Sequence, residues 1–109
     1  MERRKYPRKK VVRPLAVHDL SRGVGLGRLA DISLDGLMLL SSEDIPIGRV
    51  FQLALEFPDE LECGIQAEFG AESLWAEASL EPAKYWVGFH IIDIAPENAH
   101  KVRCLIDAL

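Results

Sequence analysis

Two short segments carry side chains that could hold a compact anionic ligand. In the first, Arg4 and Arg8 stand four residues apart around a stiff Tyr-Pro pair. A guanidinium is a planar fork that makes two parallel charge-assisted bonds to a phosphate or to the O6/N7 edge of guanine. In the second, Asp31, Ser33 and Gly36 form a DxSxxG pattern whose carboxylate can accept from guanine N–H groups. These residue types could therefore hold a phosphate or the edge of a guanine base.

Each segment also has a simpler interpretation. Two arginines four residues apart arise by chance in a basic stretch. Ser33 can cap the turn of its own hairpin without touching a ligand. Both motifs occurring in this order, with one strand-turn-strand unit between them, is less readily explained by chance than either motif alone.

The sequence contains no recognisable catalytic arrangement. His18, His90 and His100 each lack a Ser or Cys nucleophile in a known pattern. Cys63 and Cys104 stand far apart and belong to no cluster of metal ligands. We therefore expect no enzyme, no metal site and no catalytic cofactor.

The charge is divided unevenly along the chain. Residues 1–13 contain seven Lys and Arg against one Glu, whereas the other 96 residues contain six basic and sixteen acidic side chains. A basic arm on an acidic body predicts an anionic partner for the arm, although a solvated tail would look the same. The acidic body disfavours a broad nucleic-acid surface.

Targeting signals are also missing from the sequence. No apolar run approaches the roughly 20 residues of a membrane span, and the basic N-terminus is not followed by the apolar stretch of a signal peptide. The expectation is a cytoplasmic chain without membrane insertion, with both cysteines reduced.

The apolar pattern predicts short strands separated by turns, as in a β-barrel or sandwich. Asp35-Gly36 between two apolar runs predicts a tight hairpin, and Pro96 suits the first position of a helix over residues 96–109. The predicted strands are Val11–His18, Leu26–Ser33, Leu37–Leu40, Val50–Phe57, Tyr85–Ile94, and either one long bent strand or two within Cys63–Leu80.

In their order and separation, the two motifs resemble the signature of the PilZ family. That family carries RxxxR in a flexible N-terminal segment and (D/N)xSxxG on a barrel surface. A glycine of its last strand is matched by Gly88, whereas Ile91 replaces a common later Phe. The resemblance covers nearly the whole chain. It implies a flexible arm over residues 1–13, then a six-stranded antiparallel barrel of the split-barrel type with a C-terminal helix over 14–109.

The resemblance also implies a ligand, cyclic di-GMP. In the family the arginines embrace phosphate and guanine while the Asp, Ser and Gly hold the other side of the base. Those roles would fall to Arg4 and Arg8, and to Asp31, Ser33 and Gly36.

Three further residues bear on this expected site. Trp75 matches a tryptophan of many family members, and it would be either a stacking surface or a core residue. Trp86 is predicted to lie in the core. The family residue just before RxxxR helps decide how many ligands bind, and Arg3 at that place favours an intercalated pair.

The leading hypothesis is therefore a sensing module that binds cyclic di-GMP, orders its arm and engages an unidentified downstream protein. One alternative is a PilZ-like adaptor that binds a protein but no nucleotide. A second is a small β-barrel that binds nucleic acid through the arm. That barrel would show a basic, aromatic-studded strand face, whereas the body of this chain is acidic.

Overall fold

The computed structural model describes residues 6–109. These residues form seven antiparallel strands and one helix, joined by turns and loops. The sheet order is β1-β3-β2-β5-β6-β7-β4, and β3 also pairs with β4. That extra pairing closes the six longer strands into a barrel, which confirms the predicted fold. The strands are β1 (Lys9–Lys10), β2 (Ala16–Asp19), β3 (Val24–Ile32), β4 (Gly36–Ser41), β5 (Val50–Glu56), β6 (Gln66–Ala78) and β7 (Tyr85–Asp93).

Side chains alternate between the inside and the outside of this barrel because successive strand residues point to opposite faces. On β4, Leu37 and Leu39 are fully buried, while Met38 between them faces outward and is half-buried. The fully buried residues of the other strands include Val17, Leu29, Leu53, Leu55 and Val87. The hydrophobic core therefore fills the barrel and leaves its outer face available for other contacts.

The first predicted strand, Val11–His18, is interrupted in the structure. Its residues contribute to β2, while β1 lies just before it, and both pair with the same edge of β3. Pro14 separates them, since proline has no N–H to donate to a ladder. Isolated bonds bridge the gap: Val11 N–H donates to the Ala30 carbonyl and Leu29 N–H to the Leu15 carbonyl, both at 2.9 Å.

The segment that could have held one long strand or two forms one strand, β6, of thirteen residues. Its register with β7 shifts between Gly70 and Ala71 and again between Ser73 and Trp75. Such bulges bend a strand and increase its local twist. β6 pairs with β5 over Gln66–Glu72 and with β7 over Gly70–Ala78.

The C-terminal helix α1 spans Pro96–Ala108, which confirms the prediction made from Pro96 and the helical spacing. Val102 and Leu105 are buried against the barrel. No helix within residues 6–109 is long and apolar enough to cross a membrane.

The two cysteines form a disulfide, so the expectation of reduced thiols is wrong. Cys63 lies in the loop before β6 and Cys104 on α1, with a Cα–Cα distance of 5.7 Å. The neighbouring Gly64 has a φ of +108°, and a Cβ at this position would lie 3.4 Å from a carbon of the Lys101 side chain. The loop therefore packs closely on the helix and brings together cysteines that are 41 residues apart in sequence.

This disulfide should contribute to stability by limiting the unfolded chain. For a closed loop of this length we expect reduction to lower the free energy of unfolding by about 2–4 kcal/mol. Urea unfolding with and without dithiothreitol measures the difference. The double variant Cys63→Ser/Cys104→Ser is the control and should not respond to the reductant. Equal stability of the oxidised and reduced protein would contradict the expectation.

Candidate functional site

The DxSxxG turn between β3 and β4 is held by its own hydrogen bonds. Ser33 N–H donates to the Gly36 carbonyl at 2.8 Å. The Ser33 hydroxyl lies 2.8 Å from a carboxylate oxygen of Asp35, to which it donates, and the residue is only 1% exposed. The structure thus agrees with the simpler interpretation of Ser33 as the residue that caps this turn. In this geometry its hydroxyl shapes the turn and is turned away from solvent.

Gly36 permits a close approach that no other residue would allow. It is paired with His90 on β7, and a Cβ at this position would lie 2.8 Å from the Phe89 carbonyl oxygen. The same Cβ would lie 3.4 Å from Nη2 of Arg8. The missing side chain therefore serves both the pairing of β4 with β7 and the seating of the Arg8 guanidinium.

An ion pair between Arg8 and Asp31 joins the two motifs. Nη1 of Arg8 donates to Oδ1 of Asp31 at 2.8 Å, and both side chains are largely buried. The pairing of Lys10 with Asp31 in neighbouring strands fixes this approach. Nε of Arg8 is buried and has no hydrogen-bond partner within residues 6–109. The guanidinium therefore retains an unused donor in the ligand-free chain.

Asp31 begins a row of outward-facing residues that crosses four strands. The register places Asp31 opposite Met38, Met38 opposite Gly88, and Gly88 opposite Trp75. A Cβ on Gly88 would overlap Nε1 of Trp75, so the indole lies directly over this glycine. Trp75 is 40% exposed. It is therefore a surface residue on the same barrel face as the ion pair and lies outside the core.

Trp86 also differs from its prediction as a core residue. It is half-buried on the outer face, where it pairs with Leu40 on β4 and with Glu77 on β6. The prediction failed because apolar residues occupy both faces of β7. With Trp75, it makes the outer face of β6 and β7 unusually aromatic.

The predicted arm over residues 1–13 is described only in part. Within it, Lys9–Lys10 pair with β3 and Val11 is buried. Arg3 and Arg4 lie outside the described residues. Of the predicted site residues, the structure thus bonds Arg8 to Asp31 and places the Arg8 guanidinium beside Gly36.

Other charged groups pair away from this face. The Arg13 guanidinium donates to Glu60 and lowers the pKa of that carboxyl group. Asp19 and Glu43 each accept a hydrogen bond from Arg22 and raise the pKa of its guanidinium. A cavity of about 470 Å³ beside Arg13 is also lined by Glu56, Asp59 and Glu60, which would repel a phosphate. No group of three potential metal ligands occurs in residues 6–109.

Comparisons with known proteins identify relatives at the level of family and fold. The sequence model of the PilZ domain family matches residues 2–108. None of the curated proteins compared with the chain matches it significantly.

Two solved structures have the same fold. The inhibitor of motility MotI/DgrA from Bacillus subtilis is 18% identical, with a TM-score of 0.74 over 99% of this chain and 51% of its own. YcgR from Escherichia coli, solved in complex with c-di-GMP, is 20% identical, with a TM-score of 0.77 over 98% of this chain and 46% of its own. The chain thus spans about half the length of each.

The seating of Trp75 over Gly88 can be tested by adding one methyl group. Gly88→Ala should push the indole off β7 and into solvent, because the new Cβ would overlap the ring. In a Trp86→Phe background, the emission of Trp75 should shift to longer wavelength. Gly25→Ala is the control, since a Cβ there meets only His18 at an ordinary 3.8 Å. An unchanged spectrum in a folded Gly88→Ala variant would show that the indole lies elsewhere.

Proposed function

The chain belongs to the PilZ domain family, and on that premise we propose that it is a receptor for cyclic di-GMP. The observation that supports this best is the contact between Arg8 and Asp31, because it unites the two motifs on one barrel face. YcgR, whose barrel has the same fold, is solved in complex with this nucleotide.

Each residue of this face has a distinct task in the proposed complex. Asp31 accepts hydrogen bonds from a guanine N–H edge, and Arg8 donates to phosphate or to guanine O6/N7. Ser33 holds the turn, and Gly36 leaves the space that the guanidinium and the ligand share. Trp75 offers its exposed ring face to a base.

Ligand binding in this scheme exchanges one set of charged contacts for another. In the free chain Arg8 and Asp31 satisfy each other. The ligand brings an anion for the first and N–H donors for the second, so neither charge is left buried without a partner. Such an exchange avoids the penalty of several kcal/mol that removing one member of a buried pair carries.

The arm completes the site from the other side. Lys9–Lys10 anchor it to β3, and Arg4 lies five residues before that anchor. Arg4 closes on the anion that Arg8 holds, and Arg3 adds a charge for a second, intercalated cyclic di-GMP. The ligand orders the part of the arm that precedes Arg8, and the resulting surface engages a downstream protein.

The cytoplasmic location expected from the sequence stays a prediction, and the disulfide is an observation against it. Disulfides are rare in reducing compartments, so the bond between Cys63 and Cys104 is unusual for a cytoplasmic receptor. The bond joins the loop before β6 to α1, whereas Asp31 lies on β3, Gly36 on β4 and Arg8 just before β1. Binding through the motifs therefore does not require it.

Calorimetric titration tests the proposal directly. Cyclic di-GMP should bind at two molecules per chain, more weakly as salt rises, while GMP and cyclic AMP should bind far more weakly. Arg8→Ala should weaken binding about 10- to 100-fold, since it removes charge-assisted hydrogen bonds worth about 1.5–3 kcal/mol. Arg13→Ala, which breaks the exposed pair with Glu60 away from the site, is the matched control.

Three results of this titration would change the account. A folded chain that gives no heat and no shift in melting temperature would leave the adaptor as the better interpretation. Equal losses for Arg8→Ala and Arg13→Ala would show only a general effect of charge. A ratio of one ligand per chain in the unmodified protein would contradict the role given to Arg3. If the unmodified ratio is two, Arg3→Leu should lower it to one.

A further inference from the structure

A groove of about 300 Å³ separates the DxSxxG turn from α1. It is lined by Leu34 of the turn and by four helix residues, Pro96, Ala99, His100 and Arg103. These helix positions recur every three or four residues and thus lie on one side of α1. Val102 and Leu105, which pack into the barrel, lie on another side. The groove is therefore a surface feature of the helix and belongs to no part of the core.

The groove has a cationic edge that no carboxylate of residues 6–109 neutralises. Arg103 is exposed and forms no ion pair within residues 6–109, and no Asp or Glu lines the groove. Arg8, Arg13 and Arg22 are paired with acidic side chains, whereas Arg28, Arg49 and Arg103 form no ion pair in the described chain. From residue 14 onward, six basic residues face sixteen acidic ones. An unpaired guanidinium beside an imidazole is consequently a local site for an anion.

The rest of the groove is apolar and continuous with the site already described. Leu34 lies between Ser33, which caps the turn, and Gly36, which leaves space beside the Arg8 guanidinium. The turn is fixed to β7 by a bond from Ile91 N–H to the Asp35 carbonyl at 2.8 Å. Leu34, Pro96 and Ala99 thus present apolar surface at the margin of the face that carries Asp31. A ligand bound at that face can extend over the turn into the groove.

We infer that the groove is a further part of the cyclic di-GMP site, in which Arg103 and His100 hold a phosphodiester. The inference rests on the proposed function. Arg103 supplies a forked pair of N–H donors to the phosphate oxygens and His100 a ring N–H. Leu34 and Ala99 contact the sugar or base. The phosphodiester comes either from the ring bound beside Asp31 or from a second copy stacked on it.

Titration of the whole chain with cyclic di-GMP separates these cases. Arg103→Gln should raise the dissociation constant about 10-fold, the loss expected for one charge-assisted contact in a partly exposed groove. Arg103→Lys should recover part of the affinity, because it keeps the charge but loses the fork. Arg49→Gln is the matched control, since Arg49 is another arginine without an ion pair in the described chain and lines a different cavity. Melting temperatures establish that each variant is folded.

Each outcome supports or overturns the inference. If Arg103→Gln binds more weakly but with the same number of ligands per chain, the groove holds the cyclic di-GMP that lies beside Asp31. If the number falls from two to one, the groove holds a second cyclic di-GMP. If Arg103→Gln binds as tightly as Arg49→Gln and the unmodified chain, the groove is no part of the site while the receptor function stands. If the unmodified chain does not bind cyclic di-GMP, both the receptor function and this inference fail.

Discussion

The pairing of β3 with β4 through the Ser33–Gly36 turn is the constraint on which both the barrel and the site depend. It closes the sheet, so the six longer strands form a barrel. It also fixes which residues face outward, because a slip of one position would exchange the two faces of a strand. Ile32 and Leu37 are paired and point into the barrel, so the neighbouring pair Asp31 and Met38 points to its outer face. The feature that completes the core therefore also presents the carboxylate of the site.

The ion pair between Arg8 and Asp31 holds that carboxylate ready for a ligand. Both side chains are mostly covered, and Nε of Arg8 keeps a buried donor without a partner in the described chain. A site whose charged groups are already in place loses less side-chain entropy on binding than one that must assemble them. The short strand β1 provides this preorganisation, since Lys10 is aligned with Asp31.

Much of the fold could be predicted from local patterns. Asp35-Gly36 between apolar runs indicated the hairpin, and Pro96 with the helical spacing after it indicated α1. What could not be predicted depends on contacts between distant segments. Cys63 meets Cys104 only because the loop before β6 packs on the helix.

The site was predictable to a similar extent. Its motif residues were identified from their types and spacing, and the structure brings Arg8, Asp31 and Gly36 together. The surface around them was not predictable, because both faces of β7 carry apolar residues and the outward position of Trp86 depends on its neighbours Leu40 and Glu77. The groove beside Leu34 depends on where α1 packs, which no local pattern encodes.

A crystal structure of the chain with cyclic di-GMP would show directly whether the ligand replaces the contact between Arg8 and Asp31. We predict a guanine edge bonded to Asp31, with the Arg8 guanidinium moved from that carboxylate to the ligand. We also predict that the ligand lies beside Gly36 on the face that carries Trp75. A complex in which Arg8 and Asp31 remain paired and the ligand contacts neither would contradict this prediction.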